Sequence, residues 1–406
     1  MSRITRRTFL QRCSTIAGCF TLAACSSANT PLASPLLFDE VLVWSTSTHI
    51  DSALARWRRI NPNTNIRRQI VTPVELLNTI QSPDRRRDQR PDIVIADRYT
   101  FMSTSPYMWR QFAASTSESQ LVPAAIAHAR IDTQSLFALP LTVNPLKLWY
   151  HSALLSDAVG ISEPDQLQTQ LGSDWSAMIA FLQTLHRSNP VISTLASCFD
   201  DLVYPHFVRP ASQAPTFEVI RTCIELAQRR TVGQAVHFTG EWFDLVTRAQ
   251  IAMVVGGRWM GEAIRRTTDG NESSPWRTLW HPFGVLLGPS MFAAIPLQSS
   301  QYEQAAQVVQ DLCFAEELQI LISEESKSLP ALLRAYAHPS MQTVDPINPT
   351  ITIADDWDVR SYIPKADESI NDVTTLHKTQ SLMYEWQQKS KSTEHLLREL
   401  SDVFAS

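Results

Sequence analysis

Apolar and polar positions follow two rhythms along this chain. The run from Phe38, FDEVLVW, holds consecutive apolar residues at Val41–Trp44 and predicts a buried strand. Next, DSALARWRRINP places Ala53, Leu54, Trp57 and Ile60 at helical spacing, with Asp51 as the expected cap and Pro62 as the stop. NIRRQIV then predicts a strand, VELLNTI a helix and DIVIA a wholly apolar strand covered on both faces. Strands alternating with helices at this spacing imply a largely parallel sheet with helices packed outside it. Ligands in such sheets bind beyond the carboxyl ends of the strands. Attention therefore falls on STSTH after Trp44 and DRYTF after Ala96.

The second half is less regular. LFALPLTVNPLKLWYHSALL (136–155) predicts extended chain turning into a helix, and Pro140 and Pro145 suit a crossing between two bodies better than a core strand. Trp175, Met178, Ile179, Leu182 and Leu185 form one helical stripe, and Phe217, Ile220, Ile224 and Ala227 another. IAMVVGGRWMGEAIRR predicts a buried strand, a double-glycine turn and a helix, and FGVLLGPSMFAAIP returns as extended chain. YEQAAQVVQDLCFAEELQILIS predicts one long amphipathic helix, and the tail from DVTTLHKTQSLMYEW to LLRELSDVF is helical.

The start of the chain changes the picture. Arg6 and Arg7 precede a run of mostly small or apolar residues, Cys13–Ala24. That run is too short for a hydrocarbon core, which takes about 20 helical residues. Basic start, short apolar run and small residues before a cut are the layout of an export signal. Thr5–Gln11 resembles the twin-arginine export motif, and Leu22-Ala23-Ala24-Cys25 resembles the bacterial lipobox, in which the cysteine is lipidated after cleavage. Residues 1–24 are thus expected to be a signal peptide and 25–37 a tether lipidated at Cys25, palmitate-like chains holding the protein on a membrane. Export by the general secretion route stays open.

Without residues 1–24, 31 basic residues face 40 acidic ones, a net charge of −9. An acidic body argues against a nucleic-acid partner. Cys198, Cys223 and Cys313 remain, an odd number for an oxidising compartment, so one disulfide plus a free thiol, or three thiols, both fit. Cys223 and Cys313 fall within apolar helical stripes, as buried structural cysteines do. PDRRRDQRP (83–91) reads as a solvated loop or an anion site. There is no Gly-x-Ser-x-Gly, no His-Glu-x-x-His and no phosphate-cradling Gly-Lys-Ser/Thr loop, so no catalytic residues are assigned. The ten histidines are scattered without metal-ligand spacing, and no cofactor or metal is expected. Asp200-Asp201 and Asp355-Asp356 are neighbours in sequence, a poor arrangement for paired acid and base work.

Taken in order, these pieces resemble the extracellular solute-binding proteins of ABC importers, family 1, the group with many sugar binders. The resemblance is carried by the strand ending in Trp-Ser, the INPNTNI turn, PDIVIAD, LFALPLTVNPLKLWYHSALL, DWSAMIAFLQTL, AQIAMVVGGRWM and AAIP followed by YEQAAQVVQDLC and SLPALL. Two departures stand out: LLGPSMFAAIP replaces a glycine-rich stretch, and His151 stands where Asn is common. The resemblance implies an α/β, two-lobed, periplasmic-binding-protein-like (type II) fold with a hinge and an interlobe cleft. Lobe 1 would take 38–142 plus 282–328, and lobe 2 would take 146–280 plus 330–406, with crossings at Pro140 and Pro145 and near Pro282.

A neutral sugar offers an apolar face and a rim of hydroxyls, so its site wants a flat aromatic and a few fixed polar groups. Trp259, beside Gly256-Gly257, is the first candidate platform, with Trp242 second and Trp357 reaching over from the tail. Ser45 and Thr48, Asp97, Arg98 and Tyr99, and Tyr150 are the other ligand candidates. The bland alternatives are core packing for the tryptophans, helix capping for the hydroxyl loop and an ion pair for Arg98. The expected function is capture of a small solute, a carbohydrate, by a monomeric, membrane-anchored, extracytoplasmic binding protein that delivers it to ABC permease subunits. A surface interaction lipoprotein on the same fold and a lipid-anchored hydrolase are the alternatives.

Overall fold

The computed structural model describes residues 40–82, 90–113, 116–131, 135–207, 216–267, 275–344, 352–360 and 373–405. The signal, lipobox and tether readings, Cys25 included, and most of PDRRRDQRP lie outside these residues. The chain opens with strand β1 (Glu40–Ser45), helix α1 (Asp51–Ile60), strand β2 (Asn65–Ile70), helix α2 (Pro73–Gln81) and strand β3 (Ile93–Asp97). β1 pairs in parallel with β2 on one side and β3 on the other, as the alternation of strand and helix requires. α1 buries Ala53, Leu54 and Trp57. Asp51 does not cap it; it lies in the first turn, and its carboxylate is 2.9 Å from the Arg68 guanidinium of β2. Thr72 caps α2, accepting from Glu75 N–H at 3.1 Å.

Helix α3 (Arg98–Met102) follows β3 directly, and β4 (Leu139–Pro140) and β5 (Thr142–Val143) lead into β6 (Pro145–His151). β6 belongs to a second sheet. Helix α4 (Trp175–Ser188), capped by Asp174, precedes β7 (Ser193–Leu195). Helices α5 (Phe217–Gln228) and α6 (Gly240–Thr247) lead to β8 (Ile251–Gly256), helix α7 (Arg258–Thr267), β9 (Trp276–Trp280) and β10 (Leu286–Leu287). β6 pairs antiparallel with β8, β9 and β10, and β8 pairs in parallel with β7. Strand β11 (Met291–Ala294) then returns to the first sheet, antiparallel to β3 and β4, giving the order β2-β1-β3-β11-β4.

The helix expected across 302–323 is two helices, α8 (Tyr302–Phe314) and α9 (Glu316–Ser326), divided by an extended Ala315. The break is stabilised locally. Gln319 Nε2 donates to the Leu312 carbonyl at 2.8 Å, and Glu316 and Glu317 begin α9, where carboxylates suit the helix dipole. β12 (Leu329–Pro330) pairs antiparallel with β5. Helices α10 (Val373–Gln387) and α11 (Thr393–Ala405) close the chain.

The chain passes between the sheets at 141–144 and again at 288–290. Pro282 does not mark the second passage: β10, beyond it, still pairs with β6. The two passages are bonded together. Gly288 N–H donates to the Asn144 carbonyl at 2.7 Å, and Asn144 N–H donates to Ser290 Oγ at 3.1 Å. One apolar cluster joins Val43, Ile93 and Phe292 of the first sheet to Trp149, Val254 and Trp276 on one face of the second. The other face, with Leu148, Tyr150 and Met253, packs on Leu182 of α4, Ile224 of α5, and Met383 and Leu400 of α10 and α11. Cys198, Cys223 and Cys313 are buried free thiols. Among the described residues, no helix is long and apolar enough to cross a membrane.

Candidate ligand-binding site

A cavity of about 260 Å³ lies beyond the carboxyl ends of β3 and β8. Tyr99, beyond the carboxyl end of β3, lines it from the first sheet; Leu146 and Pro289 line it from beside the two passages. The second sheet supplies Val255 and Gly256 at the carboxyl end of β8, and the first turn of α7 supplies Trp259. Phe199, Asp200 and Tyr204 come from the π-helical turn Cys198–Val203 and the residue after it, His237 and Phe238 from the segment before α6. The tail helix α10 contributes Leu376, His377, Gln380 and Tyr384, positions that share one helical face.

Each polar group is held by its neighbours. Asp97 accepts from Thr100 N–H and Thr100 Oγ1, both at 3.0 Å, and so fixes the short helix that carries Tyr99. The Tyr99 and Tyr204 hydroxyls are 2.7 Å apart, and their rings meet edge to face. Burial pushes the Tyr99 hydroxyl up to about 12 and raises that of Tyr204 as well, so both stay protonated. Ser197 caps the π-helical turn, accepting from Asp200 N–H at 3.0 Å. The two neighbouring acids then separate: Asp200 faces the cavity and Asp201 is fully buried behind it.

Asp201 accepts from Ser197 N–H at 2.8 Å and Val255 N–H at 2.6 Å, and lies 2.9 Å from His237 Nε2. Burial opposes a charge on His237, but Asp201 and Asp200 together outweigh it and lift the imidazole to about 9. Asp200 accepts from Tyr384 Oη at 2.6 Å, Ser197 Oγ at 2.8 Å and His237 N–H at 3.2 Å. Gln387 Nε2 donates to Ser197 Oγ at 3.1 Å, so the tail helix is tied to the same turn. Burial lowers the His377 imidazole, which favours its neutral form.

Aromatic rings make most of the wall. Phe238 lies 5.3 Å from Trp259 and 5.4 Å from Trp242, centroid to centroid. It is 46% exposed and its φ is +64°, a conformation costly for a large side chain. Phe199 meets Tyr384 edge to face at 5.3 Å. Gly256 and Gly257 serve internal packing: a Cβ on Gly256 would strike Met260, and one on Gly257 would strike Asn144 and Trp259. The glycines let the strand-to-helix turn close tightly enough to set Trp259 at the cavity.

Of the residues singled out in the sequence, Tyr99 and Trp259 line this cavity; the others do not. Ser45 is buried at the end of β1, donating to the Ser47 carbonyl at 2.6 Å, and Thr48 is exposed. Asp97 is spent on the α3 cap. Arg98 is buried with its Nε unbonded. Tyr150 and Trp149 alternate as expected, but β6 is covered on both faces, so both rings are core. Trp242 is fully buried and supports Phe238 from behind. Trp357 packs on Trp149 at 5.9 Å and on the Lys147 ammonium at 4.6 Å, near the buried Lys147–Asp356 pair.

Asp200, Tyr204, His237, Phe238 and Tyr384 were not foreseen. One signal was readable: Leu376, Gln380 and Tyr384 recur every four residues, a half-polar stripe unlike a simple core face. Among the described residues, no cluster of three His, Cys, Asp or Glu is placed to hold a metal ion.

No family model matches the sequence, and no curated protein sequence matches it. Solved structures do. An extracellular solute-binding protein of family 1 superposes with a TM-score of 0.69 at 14% identity, covering 90% of this chain and 99% of that one. An ABC substrate-binding protein from Listeria monocytogenes, in complex with cycloalternan, gives 0.63 at 15% identity, with 90% and 97% covered. The sugar-binding protein MalE from the phytopathogen Xanthomonas citri gives 0.62 at 14% identity, also with 90% and 97% covered. The fold is the two-lobed α/β fold of these solute-binding proteins.

Proposed function

We propose that this protein captures a small carbohydrate in this cavity and hands it to an ABC importer. The observation that carries the proposal is the composition of that cavity: rings from Trp259, Phe238 and Tyr384, with Asp200, Gln380 and His377 among them. Flat rings suit the apolar face of a pyranose, and the polar groups suit its hydroxyls. Solved proteins of this fold, at low identity, include a sugar-binding protein and one in complex with cycloalternan. A volume of about 260 Å³ suits a ligand at the small end of the usual range.

Closure is the proposed mechanism. The lobe built on the first sheet brings Tyr99, and the other brings most of the wall, so a ligand touches both only when the lobes are together. Binding then shifts the open–closed population toward the closed form. The passages at 141–144 and 288–290 are the hinge strands, a few element-terminal residues that absorb the rotation. The closed faces dock on permease subunits, the protein acts as a monomer, and it catalyses nothing. Export through the arginine-led signal and lipidation at Cys25 place it at the extracytoplasmic side of a membrane.

Thermal melting against a panel of sugars, polyols and amino acids tests the binding role. A ligand at 100 times its Kd adds about 2.7 kcal/mol of stability. A shift with a sugar supports the assignment; silence across the panel contradicts it. The anchor is tested separately: Cys25→Ser is expected to release the protein from membranes.

A further inference from the structure

The cavity wall carries more negative charge than positive. Among its described lining residues there is no lysine or arginine. The His237 imidazole is directed at Asp201, 2.9 Å away and fully buried, and Asp200 also raises it, so one positive charge faces two carboxylates. Asp200 is different. Its donors are a phenol, a serine hydroxyl and a backbone N–H, all neutral, and among the described residues no cation forms an ion pair with it. The buried Arg98 guanidinium acts on the Tyr99 and Tyr204 hydroxyls at one end of the cavity but does not line it.

The hydrogen-bonding capacity is also largely used. A carboxylate offers about four lone-pair sites; three donors already occupy Asp200. The Tyr99 and Tyr204 hydroxyls are bonded to each other, and Gln380 Nε2 lies 3.3 Å from Tyr384 Oη. What remains is a negative charge set among six rings, those of Tyr99, Phe199, Tyr204, Phe238, Trp259 and Tyr384. Aromatic faces are negative, and a cation over them is attracted more strongly once water is excluded. Gln380 and His377 can still meet sugar hydroxyls, while the carboxylate among the rings asks for a positive group.

On the basis of the carbohydrate site proposed above, we propose that the ligand is a sugar bearing a free ammonium group, held between the Asp200 carboxylate and the surrounding rings. The charge sets the preference, and the rest of the sugar is gripped by Trp259 and Phe238.

Calorimetric titration of the full chain tests this with glucosamine and galactosamine, their N-acetyl counterparts, glucose and tetramethylammonium, at a mildly acidic pH where the amino groups are charged. The free amines are expected to bind roughly tenfold more tightly than the N-acetyl forms. In Asp200→Asn the ratio of the two affinities is expected to fall to near one, with melting as a check that the variant is folded. The N-acetyl comparison needs no variant and stands if Asp200→Asn does not fold. N-acetyl sugars or glucose binding as tightly as the amines would overturn the ammonium preference and leave the carbohydrate site standing. Tetramethylammonium binding while no sugar binds would keep the cation site and overturn the carbohydrate. No binding by any of these probes overturns the inference.

Discussion

The two sheets contribute unequally to the cavity. The first, β2-β1-β3-β11-β4, is regular, and its strand ends supply a single wall residue, Tyr99. The second, also of five strands and mixed in direction, is surrounded by irregular pieces: a π-helical turn, a left-handed phenylalanine and a returning tail helix. Those pieces hold Asp200, Phe238 and Tyr384. Regular alternation builds a scaffold that positions one edge of the cavity, while most of its polar wall sits where the backbone departs from the repeat. Under the proposed closure, one half would be the closing face and the other the reading face.

Replacing Asp201 by Ala strikes the reading face hardest. The change leaves the Ser197 and Val255 N–H groups without their acceptor and buries an unpaired His237. A loss of about 3–5 kcal/mol in denaturant unfolding is expected; a loss below 1 kcal/mol would mean that the second half does not depend on this pair.

The same pair makes stability depend on pH. His237 is raised from its ordinary 6.5 to about 9 in the folded protein. A raised folded value stabilises fully below the unfolded one and is lost as pH climbs through the folded one. Stability should therefore decline between about pH 6.5 and pH 9, by roughly 3 kcal/mol. His237→Gln is expected to flatten that decline. An unchanged slope in the variant would assign it to other groups.

Trp259→Ala tests the ring platform. Trp259 is only partly buried, so affinity for the sugar found by melting should fall on the order of tenfold or more, with a much smaller change in stability. Equal affinity in the variant would move the ligand elsewhere. The smallest effect belongs to the contact between the halves. Tyr99→Phe removes one hydroxyl of a 2.7 Å pair and should cost about 1 kcal/mol. A double cycle with Tyr204→Phe should show coupling of that size, and additivity would mean that the two hydroxyls do not meet in solution.

Much of the closing face was legible in the sequence. Val41–Trp44 and the DIVIA strand are apolar runs with proline and polar punctuation, and both form the strands expected of them. The reading face was harder for identifiable reasons. Asp200 and Asp201 are adjacent, and only the turn capped by Ser197 sends their side chains to opposite environments. Tyr150 and Trp357 are large amphipathic rings, which suit a ligand or a core equally until the covering elements are known. The tail read only as helical, because its contact with the cavity depends on a return across 184 residues, from Tyr384 to Asp200.

The most direct test is a crystal structure of the wild-type protein soaked with the sugar that raises its melting temperature most. The expected result is ligand density in the cavity, with a ring plane against Trp259 or Phe238 and a polar group facing Asp200. Density at any other place on the protein, with this cavity empty, would contradict the account.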